Sequence, residues 1–146
     1  VPFRKNMAKE MGADVVLDPT DPDIKEKIRE AKKDAPLIKA VDASGNGNAE
    51  RLCIDMMEPR GSVAFIGENH NTIPICPSDD FIRKGLTLMG SWHYNMDDRE
   101  EMFAILRRSP VVHKIITDVY GFSDVQGAFE KFMGQDTCKV ILKPWE

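Results

Sequence analysis

The chain has 146 residues, of which 42% are hydrophobic and 30% charged, with a formal net charge of −4. That length fits one domain with an apolar core of useful size. No basic field is present to steer nucleic acid or anionic lipid, and no apolar run approaches the roughly 20 residues that span a bilayer, so neither is expected as a partner.

Three cysteines, Cys53, Cys76 and Cys138, are odd in number, far apart and never in a C-x-x-C pair. They suit a reducing, cytoplasmic compartment and form neither a zinc ribbon nor a disulfide framework. His70, His93 and His113 add no metal-ligand spacing, so no metal site is expected from these residues. The opening Val1-Pro2-Phe3-Arg4 has no signal-peptide design, and the simplest expectation is that the chain begins inside a longer polypeptide.

In chain order, "FRKNMAKEM" (3–11) reads as a helix of good formers closed by Gly12 at C′. "ADVVLD" (13–18) predicts a short buried strand before Pro19. "TDPDIKEKIREAKKD" predicts a surface helix with Asp21 as N-cap and Pro22 at N1, turning Ile24 and Ile28 inward. "LIKAVDA" (37–43) and "SVAFIG" (62–67) are strands, and between them "NAERLCIDMM" (48–57) is a helix with Leu52, Cys53 and Met56 facing inward. Alternation of helix and strand at this spacing predicts a parallel sheet with crossover helices.

A loop with two prolines (68–78) and a short helical piece, "DDFIRKG", lead to a strand, "LTLMGSWHY" (86–94). Asp79-Asp80 and Asp97-Asp98 read as charges favoured at helix starts. Asp97 and Glu100 form a capping box for "DREEMFAILRRS", whose buried stripe would be Met102, Ile105 and Leu106. "VHKIITDVYGF" is extended, Ser123 and Gln126 cap "DVQGAFEKFM", and "CKVILKP" is a final strand. Neither G-x-G-x-x-G nor G-x-x-x-x-G-K-[ST] occurs, although "VDASGNGN" has the strand–glycine–helix shape of a ligand loop. Ser44 lies in no G-x-S-x-G elbow, which argues against a hydrolase triad.

The succession "AKEMGADVVLDP", "VDASGN", "MMEPRGSVAFIG", "KGLTLMGS", "ITDVYGFSDVQGAFEKF" and "KVILKP" resembles the carboxy-terminal half of zinc-dependent medium-chain alcohol, sorbitol and threonine dehydrogenases. The resemblance covers essentially the whole chain in the right order. It implies an α/β fold: an incomplete Rossmann-type doubly wound parallel sheet plus C-terminal elements that return to the catalytic domain. Residues 1–110 would be a partial dinucleotide-binding domain and residues 111–146 a segment packing toward that catalytic domain. In the family the zinc ligands, the phosphate-binding turn and the ribose-binding acid all lie upstream of what matches Val1. The family's sheet runs 3-2-1-4-5-6, so the centre of the sheet would be missing and strand 13–17 would lack its native neighbour. The prediction is a parallel core of strands 38–43, 62–66 and 86–92.

The same resemblance assigns cofactor contacts. Ser44, Gly45 and Asn46 would face the ribose nearest the nicotinamide, where glycine lets the backbone come close. Ile66, Gly67 and Glu68 would approach the nicotinamide carboxamide, and Ser91, Trp92 and His93 would line the inner end of the groove. Arg4 matches a basic position beside the adenosine ribose, and Lys139 one that approaches the cofactor from the last strand. Each has a plainer reading from its residue type alone: a strand-to-helix turn, a core residue with a turn glycine, amphipathic packing aromatics, a solvated arginine, an edge lysine.

For the intact polypeptide the resemblance implies oxidation of a small alcohol or polyol, with zinc as Lewis acid and NAD, or NADP, as hydride acceptor. NAD is favoured, although the acid that would discriminate them lies upstream. No catalytic residue is expected in this chain, which alone should lack dehydrogenase activity and hold no cofactor tightly. Two other classes fit the residues: a non-catalytic nucleotide-binding module using the Ser-Gly-Asn loop, and an oligomerisation fragment. Strand 86–92 is the family's dimer-forming edge, so homo-oligomers through it are expected.

Overall fold

The computed structural model describes residues 1–145. They form two compact units, one comprising Leu17–Met96 and the other Val1–Val16 together with the chain from Asp97 onward.

The first unit is built on a three-stranded parallel sheet in the order β1 (Lys39–Asp42), β2 (Ser62–Phe65), β3 (Thr87–Gly90). The register runs Ala40–Val63–Leu88 and Asp42–Phe65–Gly90 across the sheet. This is the parallel core that the sequence predicts. Because side chains alternate across a strand, these two rows face one way, onto helix α3 (Gly47–Met56). There Ile54 and Val63 are fully buried, with Met57 and Leu86 beside them. The inward positions expected on α3, Leu52, Cys53 and Met56, are only half-buried; Ile54 and Glu50 are the buried ones. On the opposite face Val41 and Met89 remain exposed.

Helix α2 (Ile24–Lys32) starts two residues later than expected, with Asp23 as N-cap. Asp21 instead accepts from the Asp23 backbone N–H and pairs with Lys27, stabilising the turn ahead of the helix. Residues 13–18 form no strand, contrary to expectation. A strand needs a ladder partner, and none of the described residues supplies one. Asp18 turns its carboxylate to Thr20 and closes a turn.

In the second unit β4 (Ile116–Gly121) and β5 (Lys139–Lys143) pair in parallel, joined by helix α5 (Val125–Met133), which packs on both. Its most buried residue is polar: Thr137 has no exposed surface, and the only buried apolar side chain among the described residues of this unit is Ala128. A register shift at Thr117 lets the Thr137 hydroxyl donate to Asp118 at 2.5 Å while Thr117 Oγ1 lies 2.5 Å from Thr137 Oγ1.

Helix α1 (Pro2–Glu10) ends as expected, with Gly12 past the C-cap at φ +103°. The two predicted caps downstream are not made. Helix α4 (Arg99–Arg108) follows a 3-10 turn and has Asp98, not Asp97, at its N-cap. Glu100 is taken by the neighbouring Arg99 guanidinium instead of the backbone. The expected buried stripe is also open, for Met102 is half-buried while Ile105 and Leu106 are exposed. On α5 the N-cap is Asp124 rather than Ser123, and Gln126 donates to Glu130. No helix among the described residues is long and apolar enough to cross a membrane.

Candidate functional site

Three parallel strands in sequence order deliver three loops to one end of the first unit. In open α/β sheets ligands bind outside the carboxyl ends of the strands. The loop after β1 is organised by Asp42, which is only 3% exposed. Its carboxylate accepts from Ser44 Oγ at 2.6 Å and from the Gly45 backbone N–H at 3.0 Å. Ser44 Oγ in turn accepts from the Asn46 N–H, and Asn46 caps α3 by accepting from the N–H groups of Asn48 and Ala49. Gly45 sits at φ +63°, where a side chain is strained.

The loop after β2 lies directly against this turn. The N–H groups of Ile66 and Gly67 both donate to the Asp42 carbonyl, at 2.9 and 3.1 Å. A Cβ on Gly45 would fall 2.1 Å from the Glu68 carbonyl oxygen, and one on Gly67 would fall 2.2 Å from the Gly45 nitrogen. The two glycines therefore bring two backbone loops into contact that no other residue type permits. Ser44–Asn46 and Ile66–Glu68, assigned from sequence, are brought together.

The third loop completes a cleft of about 470 Å³ lined by Phe65–Glu68 and Gly90–His93. Ser91 is tied to β2 by its N–H, which donates to the Phe65 carbonyl. Trp92 and His93 stand edge-to-face with centroids 4.5 Å apart, and His93 takes a positive φ of 53°. Trp92 is 71% exposed. The expected strand 86–94 thus ends at Gly90, and the aromatic segment leaves the ladder to form the cleft wall. The cleft volume lies in the range of small-molecule sites, about 300–1,000 Å³. Phe65, Ile66 and the Trp92 indole give the cleft apolar walls, while Glu68, Ser91, His93 and the loop backbone supply its polar groups.

Arg4, on the exposed face of α1, and Lys139, at the start of β5, belong to the other compact unit. No group of three or more His, Cys, Asp or Glu among the described residues could hold a metal ion. All three cysteines are free thiols, and burial pushes the Cys53 thiol up from its ordinary pKa, with Asp42 and Glu50 adding to the shift.

Sequence reasoning missed a charged hub behind the site. Asp80, read as a helix-start charge, is 8% exposed in a π-helical turn (Pro77–Ile82). Arg51 donates to both of its carboxylate oxygens, at 2.6 and 2.8 Å, to Asp55 and to the Pro74 carbonyl. The Arg51 guanidinium, helped by the Cys76 N–H, holds the Asp80 carboxyl down at about 2. Burial alone would raise the Asp55 carboxyl, but Lys25 and Arg51 together hold it below its ordinary value. Asp42 was also missed, although an Asp two residues before Ser-Gly at a strand end is the signal of an Asx-type turn.

Residues 1–108 match the zinc-binding dehydrogenase family. The chain belongs to that family. Among curated relatives, D-arabitol-phosphate dehydrogenase of Enterococcus avium is 24% identical over 141 residues, covering 96% of this chain and 40% of its own length. L-threonine 3-dehydrogenase of Caldanaerobacter subterraneus is 25% identical over 145 residues, covering 97% and 42%. A solved structure described as a short chain alcohol dehydrogenase from E. coli CFT073 complexed with cofactor NADH superposes with a TM-score of 0.82 at 20% identity, over 98% of this chain and 42% of that one. This zinc-binding dehydrogenase chain thus has the family's Rossmann-like fold, and spans about two-fifths of the length of the relatives it matches.

Proposed function

We propose that this chain supplies the nicotinamide-side wall of the coenzyme site in a dehydrogenase that oxidises a small alcohol or polyol. The observation that carries the reading is the contact between Gly45 and Gly67–Glu68 beside the Trp92–His93 cleft, at the carboxyl ends of adjacent parallel strands. Family membership supports it, as do relatives named for a sugar-alcohol phosphate and for a hydroxy amino acid.

The nicotinamide coenzyme, when bound, supplies the hydride acceptor. This chain's contribution is orientation: Gly45 and Gly67 let backbone approach the ribose and carboxamide, and Trp92 and His93 close the inner end. A ring held at a fixed angle turns an encounter into a unimolecular step. The family's zinc has no ligand set among the described residues, and no step is assigned to it. Arg4 is proposed to lie beside the adenosine ribose and Lys139 to approach the coenzyme from the last strand. Residues 1–110 are proposed as a partial dinucleotide-binding domain and residues 111–146 as a segment that packs toward a catalytic domain.

Phosphate contacts dominate the affinity of such coenzymes, and neither phosphate fingerprint occurs in this chain. The 146-residue chain should therefore reduce no NAD in the presence of alcohols and give no calorimetric binding at micromolar coenzyme. At millimolar NAD, amide resonances of Gly45, Gly67, Glu68, Trp92 and His93 should shift. Micromolar affinity, or shifts centred on other residues, would overturn the reading.

A further inference from the structure

Helix α3 does more than pack beneath the sheet, because its first two turns fasten the segment that follows β2. Glu50 is only 6% exposed, and its Oε2 accepts from Asn69 Nδ2 at 2.6 Å. The other half of the Asn69 amide is used as well, since Oδ1 accepts from the Asn71 N–H at 2.8 Å. Gly47 makes room for this arrangement: a Cβ there would stand 3.1 Å from Ile73 Cγ2 and 3.5 Å from Asn69 Nδ2. Farther along, Arg51 donates to the Pro74 carbonyl at 2.8 Å. Residues 69–74 are thus held at one end by Glu50 and at the other by Arg51.

A buried carboxylate is costly unless it is hydrogen-bonded, so an apolar residue at position 50 would serve core packing better. What the carboxylate adds is a fixed position for Asn69, the residue that follows Glu68. On its other side, Glu68 follows Gly67, whose N–H donates to the Asp42 carbonyl. Gly67–Glu68 is therefore suspended between Asp42 and the Glu50–Asn69 pair.

We propose that Glu50 and Asn69 are positioning residues for the coenzyme: the pair sets the Gly67–Glu68 backbone at the height where it meets the nicotinamide side of the ligand. This rests on the reading of the cleft as the nicotinamide site. Neither residue touches the cleft, whose walls are Phe65–Glu68 and Gly90–His93.

The test is an amide-shift titration of the full chain with NAD, run on wild type and on Asn69→Ala, Glu50→Ala and Glu50→Gln. Losing one hydrogen bond to a charged group should raise the apparent Kd about fivefold in Asn69→Ala and Glu50→Ala. Glu50→Gln keeps an acceptor for Asn69 and should restore wild-type Kd. Dispersed core resonances of Ile54 and Val63 certify folding; if Glu50→Ala unfolds, Asn69→Ala decides. An unchanged Kd in the folded alanine variants, even with lower stability, overturns the proposal and leaves the site reading intact. Glu50→Gln binding as weakly as Glu50→Ala also overturns it. Absence of wild-type shifts at Gly67, Glu68, Trp92 and His93 removes the site reading and the positioning role together.

Discussion

The two compact units solve the problem of stability differently. Around β1–β3 the centre is apolar, with Ile54 and Val63 sealed from solvent. Buried charge stands around it, in Asp42, Glu50 and the Arg51–Asp80–Asp55 hub, each acid with a hydrogen-bond partner. Around β4–β5 the sealed residue is Thr137, bonded to Asp118 and Thr117, while Phe122, Phe129, Phe132 and Met133 are 48–74% exposed. Parallel sheets ordinarily have both faces covered. The first unit has an apolar core sealed from solvent; the second leaves most of its large apolar side chains on the surface. The unit with the core is also the one that holds nine of the eleven residues assigned to the coenzyme.

The contrast is sharpest at its largest expected effect. Ile54→Ala removes a fully buried side chain, and thermal or urea unfolding should show a loss of about 3 kcal/mol. A loss under about 1 kcal/mol would show that the three-stranded unit does not rest on this cluster.

Next in size is Asp80→Asn, which should cost about 2 kcal/mol at neutral pH by leaving Arg51 underpaired. Asp80 titrates at about 2 in the folded chain, against about 3.9 for an unfolded aspartate. Its contribution is complete above the unfolded value and drains away as pH falls toward the folded one. Wild type and Asp80→Asn should therefore converge in stability between about pH 5 and pH 2. A gap that stays constant across that window breaks the assignment of the hub.

The smallest effect belongs to the second unit. Phe129 is 60% exposed, so Phe129→Ala should change the stability of this chain by less than about 0.5 kcal/mol. A large loss would mean that the two units are not stabilised as differently as their burial indicates.

Much of the first unit is legible in its residues alone. Apolar runs and glycine punctuation place β1, β2, β3 and the helix between the first two, because the strands of a family sheet covered on both faces read as nearly continuous Val, Ile, Leu and Ala, even though Val41 and Met89 are exposed here. The same logic fails at 13–18, where the run "ADVVLD" is apolar enough but a strand exists only by virtue of its neighbour. The caps expected at Asp21, Asp97 and Ser123 each fall to a neighbouring aspartate, Asp23, Asp98 or Asp124; several acidic or hydroxyl residues stand together there, and Lys27 takes Asp21 while Arg99 takes Glu100. The glycine loops are legible, since glycine announces backbone that must come close. The supports behind them are not, because Glu50–Asn69 and Arg51–Asp80 join residues 19 and 29 positions apart. Only folding brings such pairs into reach.

The glycine-to-glycine contact has a consequence for anyone recombining this chain with its relatives. The loops after β1 and β2 are shaped to each other atom by atom, with no side chain between them to absorb a mismatch. A crossover placed between residues 45 and 67 would join two halves cut for different counterparts, whereas one placed beyond Asn69 would inherit the matched loops together with the Glu50–Asn69 support. For shuffling purposes the stretch from Asp42 to Asn69 is a single indivisible cassette.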